Sequence, residues 1–212
     1  FNKFTCNHFL KNFGVDVPAS ILLRREDSIT VDQIVASLGL PLFVKPNVGG
    51  SSFATTKVKE ASQLENAIVE AFTEASEVIV EQFVAGREVT CGCYASHRGF
   101  TMLPLTEVVT HNEFFDYNAK YNGEVEEITP APLPENITCN VQQITERIYR
   151  LLGARGIVRA DYILMGERPI LLEVNTTPGM TPTSFIPQQA AAAGISMSDL
   201  FTELIESAFK TQ

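Results

Sequence analysis

The sequence lacks the features that mark three common classes of protein. Basic residues are few: 16 Lys and Arg stand against 25 Asp and Glu, a formal charge of −9. Nucleic-acid and anionic-membrane surfaces depend on clustered Lys and Arg, so neither partner is expected. No apolar run approaches the ~20 residues that a membrane helix needs. No basic, apolar and small-residue leader opens the chain, so the cytoplasm is the expected location.

Cysteine is also too scarce for a disulfide framework. The four cysteines are Cys6, Cys91, Cys93 and Cys139, and they form neither a CxxC pair nor a zinc-like spacing. Cys91 and Cys93 share one face of a predicted strand, because side chains two apart point the same way. We therefore predict that they are buried thiols.

What is present is a mixture of helical and strand patterns in 212 residues, enough for one large domain or two small lobes. Helical spacing of apolar residues recurs in segments 2–13, 31–38, 59–72, 140–153 and from about 196 onward. Strand patterns occupy segments 40–58, 77–95, 156–164 and 169–175. The aromatic, polar and then proline-rich stretch 110–134 is expected to be a long functional loop. Since Phe1 opens directly into a helical pattern, we expect the chain to begin at a domain boundary.

Two strands near the end of the chain predict a metal site. A hairpin over "RADYIL" and "PILLEVN", with a connection at residues 166–169 centred on Glu167, places Asp161 opposite Glu173 and Arg159 opposite Asn175. Facing carboxylates destabilise a sheet unless something neutralises them. Two carboxylates and an amide oxygen suit Mg²⁺. The alternative is a solvated strand face on which Arg159 pairs with the acids.

The stretch "PLFVKPNVGGSS" places Lys45 at the end of an apolar strand, before a loop of glycine and serine. A lysine ammonium suits phosphate oxygens, and Gly49 and Gly50 allow a close backbone approach. Ser51 and Ser52 add donors. The alternative is an ordinary edge strand that ends in lysine.

Two further segments indicate ligand contacts. In "EVIVEQFVAGREV", a break at Ala85-Gly86 lies between Glu81 and Glu88, as in a hinge that offers backbone groups to adenine and a carboxylate to ribose. A plain bend with surface acids is the alternative. In "EVNTTPGMTPTSF", a turn at 177–179 precedes a predicted helix start near Ser184, which favours an anion or a developing oxyanion. An ordinary capping turn is the alternative here.

Together these motifs resemble the D-alanine–D-alanine ligases, which are ATP-grasp enzymes. The resemblance rests on VKPxxxGSS, VxVEQFxxGxEVT, DYxAKY, GxxRxDYxL and LLEVNTTPGMTPxS, taken in that order. It implies an α+β ATP-grasp fold, in which two lobes with largely antiparallel sheets sandwich the nucleotide. We expect residues 1–85 in the smaller lobe, residues 86–212 in the larger one, and the amino-terminal domain of the family to be absent. Ala54 stands where many relatives have glycine, so the loop is expected to be slightly stiffer.

The resemblance also implies residue roles. The ATP contacts would be Lys3, Lys45, Ser51, Ser52, Glu81, Gln82, Val84 and Glu88. Asp161, Glu173 and Asn175 would hold two Mg²⁺ ions, for which Mn²⁺ is a possible substitute. The catalytic set would be Arg159, Gly179, Ser51, Tyr121, Lys120 and Ser184. Within it, Arg159 and the Gly179 amide would stabilise the transition state, and Ser184 would receive the carboxylate of the second D-alanine.

The implied reaction is ATP-dependent formation of D-alanyl-D-alanine through an acyl phosphate, for peptidoglycan synthesis. The full-length enzyme is expected to be a homodimer, and this chain alone to be inactive or weak. A D-alanine–D-lactate or D-alanine–D-serine ligase is the nearest alternative, and Tyr121 favours the dipeptide because ester-forming relatives usually carry histidine there. Another ATP-grasp carboxylate–amine ligase, or a nucleotide-binding module without activity, is a further alternative.

Overall fold

The computed structural model describes residues 2–50, 54–110 and 125–210, which form two antiparallel sheets with helices packed against them. The helices are α1 Lys3–Asn12, α2 Val31–Leu38, α3 Ala61–Glu74, α4 Glu135–Leu151, α5 Phe185–Ala192 and α6 Met197–Lys210. The strands are β1 Ser20–Arg24, β2 Leu42–Pro46, β3 Thr56–Val58, β4 Glu77–Gln82, β5 Arg87–Ser96, β6 Gly99–Met102, β7 Thr106–Thr110, β8 Val125–Ile128, β9 Ile157–Met165 and β10 Arg168–Asn175. None of the helices in these three stretches is both long and apolar enough to cross a membrane.

The first sheet has the strand order β1-β4-β2-β3, with α2 and α3 against it. Its core forms because α3 turns Leu64, Ala67 and Ala71 to one side, at the helical spacing that the sequence shows. Helix α2 begins at a reciprocal capping box between Thr30 and Gln33. The sheet therefore presents its other face to the rest of the molecule, and β2, which carries Lys45, is an internal strand.

The second sheet has the order β10-β9-β5-β7-β8, and β6 pairs with β5. One face packs against α1 and α4, and the other carries α5 and α6 at one end. Cys91 and Cys93 are fully buried, unpaired thiols in the first of these cores, which confirms the prediction. The polar side chains of β5 and β9 alternate with these core residues, so they line the opposite face.

Helix α1 connects the two sheets. Its Leu10 is fully buried in the core of the second sheet, although the expected boundary at residue 85 assigns it to the first lobe. Its amino terminus instead contacts the end of β2, where the Lys3 amide donates to the Asn47 carbonyl at 3.2 Å. The helix thus holds the end of β2 at a defined position relative to the second sheet.

Several boundaries differ from those that the sequence predicts. The β9–β10 connection is the two-residue turn Gly166-Glu167, so Arg168 and Pro169 belong to β10. The predicted loop 110–134 contains β8, and α4 begins at Glu135 rather than near 140. Strands β1, β6 and β7 are also absent from the sequence prediction, because each has only four or five residues and no clear alternation in burial.

Strand β10 is an edge strand, and α1 and the segment after it satisfy its outward backbone groups. The Leu171 amide donates to the Asp16 carbonyl at 2.8 Å, and the Asn7 side chain donates to the Leu172 carbonyl at 2.8 Å. Asn7 is nearly inaccessible to solvent, at 4% exposure. Its amide therefore replaces water as the partner of that carbonyl.

We expect Asn7→Leu to reduce the free energy of unfolding by about 1–3 kcal/mol, because the Leu172 carbonyl would lose its partner in a site closed to water. Urea unfolding measures the change. The matched control is Asn12→Leu on the same helix, whose side chain bonds the His8 carbonyl at an exposed position. Equal losses for the two variants would contradict the role assigned to Asn7.

Candidate active site

A β-bulge in β10 sets the geometry of the acidic pair. Near the turn, Leu171 pairs with Tyr162, but the register shifts by one residue at Leu172. Beyond the shift Glu173 pairs with Asp161, and Asn175 with Arg159. These are the pairs that the sequence predicts, although the turn lies half a residue earlier than predicted. The bulge compensates for that difference.

Hydrogen bonds surround the Asp161 carboxylate on three sides. Arg159 binds it bidentately, with Nε to Oδ1 and Nη2 to Oδ2 both at 2.8 Å, and the Thr90 hydroxyl donates to Oδ1 at 2.6 Å. The Asn175 amide donates to Oδ2 at 2.9 Å and to Glu173 Oε1 at 3.2 Å. Arg159 does pair with an acid, as the alternative supposes. The side chains of that pair are only 16% and 12% exposed, so this is not a solvated strand face.

The donor set fits a hard divalent cation. Within the described ranges, no three His, Cys, Asp or Glu side chains converge to form a metal cluster. An ion here would therefore take the carboxylates of Asp161 and Glu173 and the oxygen of Asn175, which requires that amide to turn its oxygen toward the acids. Such a set leaves coordination positions for phosphate oxygens and water, which is the usual arrangement for Mg²⁺.

Two lysines of the first sheet and helix α1 face this acidic group. Lys45 forms a salt bridge with Glu81 at 2.5 Å, with side chains 15% and 6% exposed. Burial opposes the charge on Lys45, but the carboxylates of Glu81 and Glu173 outweigh it and raise its pKa. Lys3 donates to the Gly49 carbonyl at 2.8 Å. Its pKa is lowered, mainly by burial and further by Lys45, against the opposing effect of Glu173 and Glu81.

These contacts exclude two of the structural alternatives left open by the sequence: an edge strand ending in Lys45, and a surface position for Glu81. Lys45 lies on an internal strand, between β4 and β3, so it is not the end of an edge strand. Glu81 is buried and is therefore not a surface acid. Its carboxylate is bound to Lys45, while Gln82 is exposed and Val84 is half-buried in the connection between the sheets.

Glu88 lies on the same face of the second sheet as Asp161, since β5 pairs Glu88 with Ile163 and Thr90 with Asp161. Its pKa is raised from the ordinary value of 4.5 to about 7. Burial is the main cause, and the negative charges of Asp161 and Glu173 add to it. Both causes favour the neutral, protonated form of Glu88.

A third group of residues lies where α5 begins. The Arg159 guanidinium carbon is 5.0 Å from the centroid of the Phe185 ring, next to Ser184. Ser184 is the N-cap residue of α5, as predicted, but its hydroxyl bonds Thr181 instead of capping the helix. The chain bends at 176–177 and forms its hydrogen-bonded turn at 181–184, later than the predicted 177–179 turn. A Cβ on Gly179 would lie 2.7 Å from the Ser184 hydroxyl, so any larger residue there would displace that hydroxyl.

Four of the residues expected at the site lie outside the described residues: Ser51, Ser52, Lys120 and Tyr121. Ala54, which follows the serines, has a left-handed backbone with φ 50°, the conformation that glycine adopts without strain. Glycine would adopt this conformation more easily than alanine.

Sequence reasoning missed Thr90 and Gln189, which hold Asp161 and its neighbouring strand in place through hydrogen bonds. Thr90 holds Asp161, and its carbonyl accepts from the Gln189 amide at 3.0 Å. Gln189 is fully buried and also accepts from the Gly92 amide at 3.0 Å. The spacing of Thr90, two residues after Glu88, could have placed it on the site face. Gln189 carries no such signal, because it reaches the strand from a distant helix.

We expect the raised pKa of Glu88 to make the ligand-free protein less stable at neutral pH than at pH 5. Between pH 4.5 and about 7 the folded state binds a proton that the unfolded chain releases, so stability is lost as the pH rises through this window. The loss is on the order of 2 kcal/mol. Urea unfolding at pH 5 and pH 8 should show a smaller difference for Glu88→Gln than for the parent. Glu65→Gln on the exposed side of α3 is the matched control, and an equal pH dependence in all three proteins would contradict the assignment.

The chain is similar to a known protein family and to curated proteins of that family. The model of the family "D-ala D-ala ligase C-terminus" matches residues 9–206. The D-alanine–D-alanine ligase of Parabacteroides distasonis is 56% identical over 213 residues, covering 100% of this chain and 64% of that protein. The ligase of Bacteroides fragilis is 55% identical over 210 residues, covering 99% and 65%. The chain thus spans about two thirds of the length of these curated relatives.

Solved structures agree with this placement. The D-alanine–D-alanine ligase of Bacillus anthracis superposes with a TM-score of 0.87 at 33% identity, covering 99% of this chain and 67% of that one. A structure of a Bacillus anthracis ligase complexed with ATP has a TM-score of 0.84 at 29% identity, covering 99% and 66%. VanG D-Ala:D-Ser ligase from Enterococcus faecalis has a TM-score of 0.87 at 32% identity, covering 97% and 60%. The expected α+β fold of the ATP-grasp ligases is confirmed, and the chain belongs to the D-alanine–D-alanine ligase family.

Proposed function

We propose that this chain is the ATP-binding and catalytic part of an enzyme that joins two D-alanines into D-alanyl-D-alanine, a building block of peptidoglycan. The observation that carries the proposal is that the charges of Lys3 and Lys45 interact with Glu173, which pairs with Asp161 in the second sheet. Cationic side chains facing a metal-binding acidic pair suit a magnesium-bound triphosphate. The names of the relatives and the ATP-bound structure support this assignment.

In the first step, a carboxylate oxygen of one D-alanine attacks the γ-phosphorus of ATP, and ADP leaves. Lys3 and Lys45 neutralise the phosphate oxygens, and Glu88 binds the ribose hydroxyls. Burial is the main cause of its raised pKa, and a bound cation would lower that pKa by offsetting the charges of Asp161 and Glu173. The connection at Gln82 to Val84 offers its backbone to adenine. Asp161, Glu173 and Asn175 would hold the Mg²⁺ ions, for which Mn²⁺ is a substitute. These ions would supply charge neutralisation at the transferred phosphate.

In the second step, the amine of another D-alanine attacks the acyl carbon, loses a proton, and displaces phosphate. Arg159 and the Gly179 amide stabilise the oxyanion that develops at that carbon. Ser184, at the positive end of α5, receives the carboxylate of the incoming D-alanine. The family resemblance assigns Lys120 and Tyr121 to closing the site. It assigns Tyr121 and Ser51 to a hydrogen-bonded set with a glutamate that the amino-terminal domain supplies in the family. The proposal includes a cytoplasmic location and a homodimeric full-length enzyme, without nucleic-acid or membrane partners.

We expect Mg²⁺-dependent binding of a non-hydrolysable ATP analogue by this chain, measured by calorimetry. Lys3→Met should weaken that binding about tenfold, because it removes a cationic partner of the phosphates. Lys11→Met is the matched control, since Lys11 is an exposed lysine in the last turn of the same helix. A folded parent that does not bind the analogue would contradict the proposed nucleotide site.

The metal site has its own matched pair of variants. In the parent, we expect Mg²⁺ to raise the nucleotide affinity at least tenfold. Glu173→Gln should abolish that gain, because one of two carboxylate ligands is lost. Glu167→Gln changes an exposed acid in the turn of the same hairpin and should leave that gain intact. Mn²⁺ relaxation enhancement measures ion binding directly. An unchanged Mn²⁺ affinity in Glu173→Gln would contradict the ligand assignment.

The likeness to VanG D-Ala:D-Ser ligase favours one second candidate, a ligase that accepts D-serine. Product analysis with D-alanine, D-serine and D-lactate separates the candidates, and we expect D-alanyl-D-alanine to dominate. Because the chain covers 64% of a relative's length, we also expect it to be inactive or weak by itself. A normal rate from this chain alone, or a main product containing D-serine or D-lactate, would contradict these expectations.

A further inference from the structure

Asn47, the residue after β2, has no exposed surface, and all of its polar groups are in use. Its side-chain oxygen accepts from the Phe4 amide at 3.0 Å, and its side-chain nitrogen donates to Glu77 Oε2 at 2.7 Å. Its backbone carbonyl accepts from the Lys3 amide at 3.2 Å, and its backbone amide donates to the Glu77 carbonyl at 3.0 Å. One buried residue thus joins the first turn of α1 to the start of β4.

Glu77 is the other half of this connection. Its second oxygen, Oε1, accepts from Arg24 Nε at 3.0 Å, while Oε2 receives Asn47 and a longer contact from Asn2 at 3.5 Å. Asn2 in turn caps α1 by accepting from the Thr5 amide at 2.7 Å. The side chains of Asn47 and Asn2 therefore satisfy two amides of the first turn that have no partner within the helix.

The two lysines that face the acidic pair are both attached to this connection. Lys45 lies two residues before Asn47, and Lys3 donates its own amide to the Asn47 carbonyl. The Lys3 ammonium reaches forward to the Gly49 carbonyl at 2.8 Å, two residues beyond Asn47. Since α1 is otherwise packed in the core of the second sheet through Leu10, Asn47 determines where Lys3 lies relative to Lys45.

We propose that Asn47 is a positioning residue for triphosphate binding: through its hydrogen bonds to Phe4 and Glu77 it holds Lys3 and Lys45 at the separation that the phosphates require. This inference rests on the proposed function and deepens it. Asn47 itself has no surface left for a ligand, so it acts through the two lysines. A small displacement of groups that bind a transferring phosphate has a large effect on catalysis. A buried connection that fixes the positions of two such groups therefore matters for function.

The proposal can be tested by exchanging the hydrogen-bond donor and acceptor between residues 47 and 77. Asn47→Asp keeps the acceptor for Phe4 but places a second carboxylate against Glu77, which repels it. Glu77→Gln added to Asn47→Asp restores a donor–acceptor pair with its direction reversed. It leaves an oxygen for Arg24, although the exposed Arg24–Glu77 salt bridge becomes a neutral hydrogen bond and the 3.5 Å contact with Asn2 is lost. The net charge of the double variant equals that of the parent. Asn140→Asp, at an exposed position of α4, is the matched control.

Calorimetry with the ATP analogue and with adenosine separates positioning from stability. We expect Asn47→Asp to weaken the analogue about tenfold and adenosine less than twofold, and the double variant to return to within about threefold of the parent. Equal weakening of both ligands, or no recovery in a folded double variant, would overturn the inference. Unchanged binding of the analogue by Asn47→Asp would also overturn it.

A readout without nucleotide keeps the inference separate from the proposed function. Hydrogen exchange of the Lys3 and Phe4 amides, measured by NMR in the ligand-free protein, should accelerate in Asn47→Asp and slow again in the double variant. If the parent does not bind the ATP analogue, the proposed function fails, while this measurement still decides whether Asn47 positions the first turn of α1. Unaltered protection of both amides in Asn47→Asp would overturn that role.

Discussion

The bulge at Leu172 is the feature on which the acidic site depends. If the register next to the turn continued without it, Leu172 would face Asp161, and Glu173 would face Ala160 on the buried side of the sheet. A shift of one residue moves every later side chain to the opposite face. Asn7 stabilises this irregularity by bonding the Leu172 carbonyl, so the helix that carries Lys3 also supports the strand that carries Glu173.

Charge balance explains how so many ionised groups are accommodated with little exposure. Arg159 offsets Asp161, and Lys45 offsets Glu81, because a buried charge without a partner is costly. For Glu88, burial and the neighbouring carboxylates outweigh the effect of Arg159 and raise its pKa to about 7. Binding of a metal-bound triphosphate would replace these internal pairings with new ones, which accounts for an arrangement of lysines and acids on facing surfaces.

Part of this arrangement can be predicted because it follows from local periodicity. The period of two along a strand pairs Arg159 with Asp161 and places Cys91 beside Cys93, and the helical period identifies α2 and α3. The predicted connection 166–169 is too long because it and the observed turn Gly166-Glu167 are both compatible with the same sequence. The short strands β6, β7 and β8 were missed because four or five residues carry too little pattern to exclude a loop.

By itself, the sequence determined the family, the longer helices and strands and the chemical types present at the site, since each is encoded in motifs or in spacing within one segment. Only the tertiary structure decided which groups meet across segments. It placed Asn47 against Phe4 and Glu77, Thr90 against Asp161, and Glu81 against Lys45. Such contacts depend on how helices and sheets pack, and packing at long sequence separation leaves no periodic trace in the chain.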